Sequence, residues 1–287
     1  MFLPGVELKL KVTDAPDMRL VLLSRTENVA LVRQALTGLA DALGFDDALL
    51  GDIKGAVSEA CNNVVLHAYD GTEGILEVYM CSEGEDFDIV VRDTGSGIQP
   101  NPPEPGAGIQ GVGLSLIQAL TDRVEFRGVP DQGTEVRMGF HTPGVAMPAL
   151  GSAREAPEQV LPPAGDAVVS VVAGTLAAPV LSRVVGMLAA RSGFSVDRLA
   201  DVQLLSDALA AHAPGSFVGR HIHVGVDDGE GSLELRIGPL EAGGGLRIVQ
   251  ASAIGGMPAV IEQLVDGLEV TSNGDGEQLL LRMADSG

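Results

Sequence analysis

Several residue types are scarce in this chain of 287 residues. Tryptophan is absent, aromatic residues make up 3%, and Cys61 and Cys81 are the only cysteines. Two cysteines are too few for a disulfide scaffold or a four-cysteine zinc site. No apolar run approaches the roughly 20 residues of a membrane span. The N-terminal MFLPGVELKLKV reads as a strand, because it lacks the charged start and long apolar core of a signal peptide. We therefore expect a soluble, cytoplasmic protein without a membrane partner.

Basic residues are also few. The chain has 18 Lys and Arg against 39 Asp and Glu, which gives a formal net charge of −21. A nucleic-acid partner would require a basic face, and an anionic membrane would repel this surface. The acidic residues are scattered, as on a solubilising surface. The charge therefore argues against direct nucleic-acid binding.

The first 140 residues carry strand and helix patterns without regular βαβ alternation. MRLVLLS reads as a strand, and Ser24 with Glu27 fits a capping box at the start of the next helix. Gly44 marks the end of that helix, and a second helix is predicted at about 48–68. GILEVYMC and FDIVVRD follow as strands, and the helix GLSLIQALTDRV precedes the strands VEFRG and GTEVRMGF. The pattern predicts an α+β fold of layered helices and strands.

The remainder of the chain repeats the first unit faintly. LTGLADALGFDDALLGDI (36–53) resembles VGMLAARSGFSVDRLADV (185–202), and IQALTDRVEF (117–126) resembles IEQLVDGLEV (261–270). Between them lies a stretch rich in Pro, Ala and Gly. We predict a duplicated fold with a first domain at 1–140, a linker at 141–165 and a second domain at 166–287.

Two polar residues in SEACNNVVLHAY lie four positions apart on the predicted second helix. Glu59 and Asn63 therefore project from one face, opposite the apolar stripe. A carboxylate there can accept a proton from an attacking hydroxyl group. A neutral amide oxygen can complete the shell of Mg²⁺ beside phosphate oxygens.

The string Asp93-Thr94-Gly95-Ser96-Gly97 fits two chemistries. Asp-Thr-Gly carries the catalytic carboxylate of an aspartic protease, which needs two such carboxylates. In a nucleotide pocket, Asp93 would instead accept from the adenine amine. Gly95 and Gly97 would then let the base lie against backbone. The five residues alone leave both chemistries open.

Two further glycine segments follow. In GIQGVGLSLI, Gly111 and Gly113 precede a helix whose N-terminal N–H groups can face a phosphate chain. Thr134, after Gly133, enters a strand from which its hydroxyl can reach a base through water.

In this order and spacing the four parts resemble the nucleotide-binding boxes of the GHKL (histidine kinase-like) ATPases. SEACNNVVLHAY is similar to the N-box, RDTGSGI to the first glycine box, GVGLSLI to the second, and GTEV to the final strand motif. The resemblance is closest to the anti-sigma factor serine/threonine kinases of bacterial partner-switching systems, over about residues 5–140.

The resemblance implies a two-layer α/β sandwich, the Bergerat fold, with ATP and Mg²⁺ as cofactors. It implies phosphorylation of a small anti-sigma-factor antagonist by a protein that also sequesters a sigma factor. Glu59 would be the catalytic base, Asn63 the Mg²⁺ ligand and Asp93 the adenine reader, with residues 98–110 as the lid. The remaining nucleotide contacts are expected at Gly95, Gly97, Gly111, Gly113, Leu114 and Thr134.

One departure from the family keeps other interpretations open. No Lys or Arg occurs between Asp93 and Arg123, whereas many relatives supply an arginine from the lid. A non-catalytic, ATP-binding anti-sigma module is therefore an alternative to the kinase. A dimeric aspartic protease through Asp93-Thr94-Gly95 is a remote alternative, because it explains neither the N-box nor the second glycine box.

The second half lacks these motifs. SDALAAH stands where the first half has SEACNNV, and Pro239 aligns with Asp93. We expect a degenerate domain without nucleotide. It is expected to pack on the first as a partner subunit does in the homodimeric kinases, giving an intrachain pseudo-dimer or else a homodimer.

Overall fold

The computed structural model describes residues 16–96, 112–129, 133–145, 163–212, 215–252, 259–273 and 276–285. The first half runs β1 (Met18–Leu23), α1 (Thr26–Leu43), α2 (Asp47–Asn63), a π-helical turn (Val64–Ala68), β2 (Ile75–Glu83), β3 (Asp86–Asp93), α3 (Val112–Leu120), β4 (Arg123–Val129) and β5 (Gly133–His141). The second half runs β6 (Ala167–Val172), α4 (Ala177–Arg191), α5 (Val196–His212), β7 (His221–Gly229), β8 (Ser232–Leu240), α6 (Gly244–Ala251), α7 (Val260–Leu264), β9 (Gly267–Asn273) and β10 (Gly276–Ala284).

The strands of the described residues form one ten-stranded sheet. Its order is β4-β5-β3-β2-β1-β6-β7-β8-β10-β9, and all neighbours are antiparallel. Each half contributes five adjacent strands, in mirrored order about the β1–β6 pair. The predicted α+β class with a layered helix-and-sheet arrangement is confirmed. The common origin of the two halves stays a prediction.

Strand β1 shows how the sequence sorts the two faces of the sheet. Met18, Leu20 and Leu22 are buried in the core, whereas Arg19 and Val21 between them are half-buried. This alternation places Met18, Leu20 and Leu22 under the helices, and Arg19 and Val21 on the opposite face of the sheet. The same alternation in β3 places Asp93 on the core face, with Ile89 and Val91.

Helix α1 begins differently from the sequence-based expectation. The predicted capping box of Ser24 and Glu27 is wrong: the N-cap residue is Arg25, and it makes no side-chain capping bond. The Ser24 hydroxyl instead accepts from the Gly74 N–H at 2.9 Å. The predicted end at Gly44 is confirmed, because Gly44 has φ 76° and its N–H donates to the Ala40 carbonyl at 2.8 Å.

The seam between the halves consists of the β1–β6 pair and the packing of α1 on α4. Leu20 lies opposite Val169 in the strand pair. A Cβ atom at Gly38 would lie 2.4 Å from the Pro179 carbonyl oxygen, so the two helix backbones touch there. Arg191 donates to Asn28 Oδ1 at 2.8 Å across the same seam. The halves therefore share backbone, apolar and polar contacts.

Some sequence predictions fall outside the described residues. These are the strand in MFLPGVELKLKV, the lid at 98–110, most of the linker at 141–165, and the site residues Gly97 and Gly111.

Candidate active site

Helix α2 positions the polar pair of the N-box. Asp46 caps the helix by accepting from the Leu49 N–H at 2.8 Å, and the buried Val57 and Ala60 hold one face on the core. Glu59 and Asn63 are half-buried, one turn apart on this helix. The helical segment ends at residue 68 as predicted, but its last five residues form a π-helical turn instead of an α-helix. Turns of this kind are rare in proteins, and those that occur are often found at functional sites.

Asp93 is the buried acid of the site. The residue is only 1% exposed to solvent, and its Oδ1 atom accepts a hydrogen bond from the Gly95 N–H at 2.9 Å. Oδ2 is also buried, and it has no hydrogen-bond partner among the residues that the structure describes. Leaving a buried acceptor unsatisfied is costly. Asp93 therefore presents an acceptor that a ligand donor would satisfy.

Burial raises the pKa of Asp93 above its ordinary value. Hydrogen bonds from the Gly95 and Thr134 backbones and from the Thr134 hydroxyl lower the pKa in opposition, as does the nearby Arg92. Desolvation thus outweighs the local donors. A further donor at Oδ2 would favour the carboxylate.

Gly95 joins the end of β3 to the π-helical turn. A Cβ atom at this position would lie 2.0 Å from the Ala68 carbonyl oxygen. The same carbonyl accepts from the Ser96 N–H at 2.9 Å and from the Ser96 hydroxyl at 3.2 Å. The first glycine box is therefore held directly on the last turn of the N-box helix, and only glycine allows that approach.

The second glycine box lies against the N-box from another side. A Cβ atom at Gly113 would lie 2.3 Å from Glu59 Oε1. Gly113 stands in the first turn of α3, and the next residue, Leu114, lines the cleft described below. The start of α3 and the Glu59 carboxylate are thus immediate neighbours.

The beginning of β5 closes the site on the far side of Asp93. Gly133 has φ 88°, and a Cβ atom there would lie 2.0 Å from the Asp93 carbonyl oxygen. This close approach brings the buried Thr134 beside the acid. The four parts predicted from sequence therefore converge on one place, as far as they lie in the described residues.

A cleft lies between the helices and the sheet at this place. Its walls are mostly apolar, with one carboxylate and one amide, and it is lined by Ala60, Asn63, Val64, Val91, Asp93, Leu114, Phe126, Gly128, Thr134 and Val136. An apolar cleft with a few polar groups suits an aromatic ligand.

Some lining residues were missed by sequence reasoning. Phe126 and Gly128 share the core face of β4, and Val136 lies two residues after Thr134 on β5. The period of two in a strand could have identified them once Thr134 was assigned. Tyr69 of the HAY string after the N-box does not line the cleft, but its hydroxyl accepts from the Thr94 N–H at 3.0 Å, next to Asp93.

The corresponding place in the second half is filled by the chain itself. Counted along matching strands, Val270 of β9 stands at the position of Phe126, and Glu277 of β10 at that of Thr134. A Cβ atom at Gly245, in the first turn of α6, would lie 2.9 Å from the Val270 side chain. Glu277 accepts from the Gly245 N–H at 3.2 Å. Helix α6 thus packs directly on the strands β9 and β10 at this place.

The part of the chain that the structure describes contains no cluster of three or more His, Cys, Asp or Glu side chains suited to a metal ion. No helix in that part is long and apolar enough to cross a membrane.

The element order and the cleft define a histidine kinase-like ATPase domain, and residues 22–140 match the family model of that description. The chain is 36% identical over 126 residues to the serine-protein kinase RsbW of Halalkalibacterium halodurans, covering 40% of this chain and 76% of that protein. It is 31% identical over 129 residues to the anti-sigma F factor of a Thermoanaerobacter species, covering 42% of this chain and 90% of that protein.

The solved histidine kinase domain of the EL346 blue-light activated histidine kinase from Erythrobacter litoralis is 23% identical, with a TM-score of 0.28. The match covers 33% of this chain and 45% of the length of that structure. The relatives and the family model together show that this chain belongs to the histidine kinase-like ATPase family, and its relatives include a serine-protein kinase and an anti-sigma F factor.

Proposed function

We propose that this protein is an anti-sigma-type serine/threonine protein kinase that binds Mg-ATP in the first half of the chain. It would phosphorylate a small anti-sigma-factor antagonist and sequester a sigma factor in the cytoplasm. The relatives named serine-protein kinase support the enzyme class, and those named anti-sigma F factor support the regulatory role. The net charge of −21 favours protein partners over nucleic acid or membrane.

The observation that carries the proposal is the buried, unpartnered Oδ2 of Asp93. An adenine amine is a donor of the right kind, and the apolar walls of the cleft suit the faces of the base. If Asp93 binds the adenine amine, it is a recognition residue and not the catalytic carboxylate that the aspartic protease alternative requires. Family membership favours a base-reading carboxylate over a catalytic one.

Glu59 and Asn63 carry the proposed chemistry. Glu59 would accept the proton of the attacking serine hydroxyl, and Asn63 would offer its amide oxygen to Mg²⁺. Bound Mg²⁺ supplies charge neutralisation at the phosphates. The N–H groups at the start of α3, with Gly111 and Gly113, would face the phosphate chain, and Gly97 would lie near the base.

One observation favours a second candidate, an ATP-binding anti-sigma module without transfer activity. No Lys or Arg occurs between Asp93 and Arg123. Transition-state charge on the transferred phosphoryl group is commonly neutralised by a cationic side chain as well as by metal. Without that cation, binding would survive more readily than turnover.

The second half would act as a built-in partner for the first. We retain the division into domains 1–140 and 166–287 with a linker at 141–165, and one nucleotide site per chain. The β1–β6 pair covers the edge of each five-stranded unit, which would otherwise be open. An intrachain pseudo-dimer therefore fits better than a homodimer through the same edge.

The binding proposal is tested by calorimetric titration of the full chain with Mg-ATP. Asp93→Asn removes the charge and replaces one of the two acceptor oxygens with an NH2 donor, so we expect a loss of roughly 10- to 150-fold in affinity, the contribution of a hydrogen bond to a charged group. Asp88→Asn is the control, because Asp88 lies on the same strand but on the opposite face. Wild type should bind one nucleotide per chain. Normal binding by Asp93→Asn would show that the pocket is wrongly assigned.

Transfer is tested separately, with labelled ATP and candidate antagonist proteins. Glu59→Ala should retain nucleotide affinity and lose phosphoserine formation on the antagonist. If wild type binds ATP but labels no antagonist, the second candidate replaces the kinase.

A further inference from the structure

The hydroxyl of Tyr69 lies where three elements of the site meet. It accepts from the Thr94 N–H at 3.0 Å and from the Ile75 N–H at 3.0 Å, and it donates to the Ile75 carbonyl at 2.5 Å. Tyr69 ends the π-helical turn, Ile75 begins β2, and Thr94 follows directly after Asp93. One side-chain oxygen therefore ties the N-box helix to the ends of two strands.

The position of Tyr69 is itself fixed by the local chain. Asp70 and Gly71 have φ 47° and 82°, so the chain reverses immediately, and the Thr72 N–H donates to the Tyr69 carbonyl at 2.9 Å. A Cβ atom at Gly74 would lie 2.1 Å from the Tyr69 ring, so the ring packs directly against this glycine. The hydroxyl is thus held before any ligand arrives.

The tie from Tyr69 sets the place of the adenine-reading acid. Thr94 is held through its N–H by Tyr69, and Gly133 packs against the Asp93 carbonyl from the opposite side. The backbone at Asp93 is therefore held between the Tyr69 hydroxyl on one side and Gly133 on the other. A shift of Thr94 would move the carboxylate, whose direction decides whether Oδ2 meets the adenine amine.

We infer that Tyr69 is a positioning residue for adenine recognition, acting through the Thr94 backbone on Asp93. The inference rests on the proposed function. A merely structural tyrosine would affect folding stability without affecting which base is preferred. The discriminating quantity is therefore the ratio of the affinities for ATP and inosine triphosphate, which carries an oxygen in place of the amine.

The experiment measures both affinities by calorimetry for wild type and Tyr69→Phe. Tyr79→Phe is the matched control, because Tyr79 is the only other tyrosine and lies on the sheet face away from the cleft. We expect wild type to prefer ATP, and Tyr69→Phe to lower the preference by about ten-fold, as fits the loss of an aligned hydrogen-bonding group. Tyr79→Phe should leave the ratio unchanged.

Gly74→Ala provides a second variant should Tyr69→Phe fold poorly. The new methyl group would push the ring of Tyr69 from its seat, so the ATP preference should fall in the same direction. An unchanged ratio in folded Tyr69→Phe or Gly74→Ala would overturn the inference, even with a lowered melting temperature. A wild type without preference for ATP would instead refute the pocket assignment, and this inference with it.

Discussion

The contact between α1 and α4 at Gly38 gives a sharp prediction about the seam. In Gly38→Ala, the added Cβ would lie 2.4 Å from the Pro179 carbonyl oxygen and 2.9 Å from the Val180 Cα. Both are backbone atoms, so no change of rotamer can relieve the overlap. Ordinary van der Waals contact begins at 3.4 Å, so the two helices must part by 3.4 − 2.4, about 1 Å.

The expected cost follows from two opposing terms. Overpacking of a tight core typically costs about 1–3 kcal/mol, whereas alanine is favoured over glycine inside a helix by about 1 kcal/mol. Gly186→Ala on α4 is the matched control, because a Cβ there meets nothing within 4 Å. In that control only the higher helix propensity of alanine changes the stability. Gly38→Ala should therefore be less stable than Gly186→Ala by about 1–3 kcal/mol.

The assay is urea unfolding of both variants and wild type, followed by circular dichroism. The difference corresponds to about 2–4 °C in melting temperature for each kcal/mol in a chain of this size. Equal stabilities for the two variants would refute the claim that the halves meet backbone to backbone at Gly38. Nucleotide affinity should be unchanged in both, because neither residue lines the cleft.

Two further predictions concern the first glycine box and the pH dependence of folding. In Gly95→Ala the methyl group would overlap the Ala68 carbonyl, so we expect at least about a ten-fold loss of ATP affinity; calorimetry showing normal binding would contradict the tight approach. Burial lowers the pKa of His223 to about 4, with His221 and Arg19 nearby adding to the effect, so the folded state favours the neutral ring. The contribution of His223 to the free energy of unfolding is therefore fully present above pH 6.5, and about 3 kcal/mol of it is lost as the pH falls towards 4. Urea midpoints at pH 7.5 and 4.5 should show a smaller drop for His223→Gln than for wild type, and equal drops would refute the assignment.

The family and the fold class were within reach of the sequence, because their signals are local. Asp93 ends an apolar run, Glu59 and Asn63 share one helix face, and Gly44 follows the last periodic residue of α1. Each of these patterns depends on neighbours a few residues away. The roles of the individual site residues stay predictions, although the described ones now lie in or beside a single cleft.

Long-range partners account for what the sequence did not predict. Ser24 has the right chemistry for a cap, but its hydroxyl is taken by the Gly74 N–H fifty residues along the chain. The π-helical turn after Asn63 has no sequence signature of its own. Its geometry is tied to Ser96, which donates to the Ala68 carbonyl from another strand end. The β1–β6 pairing is equally hidden, because an apolar strand such as AVVSVV can pair with many others.

The two halves differ at the place where the first half has its cleft. Pro239 stands eighth in β8 as Asp93 does in β3, so the second half has no carboxylate at the position of Asp93. We expect that restoring an aspartate at position 239 alone would not create a pocket, because α6 packs closely on Val270. The carboxylate of Glu277 already accepts from the N–H groups that begin α6, and those bonds lower its pKa. The second half thus satisfies internally the N–H donors at the start of α6, whose counterparts at the start of α3 are proposed to face phosphate in the first half.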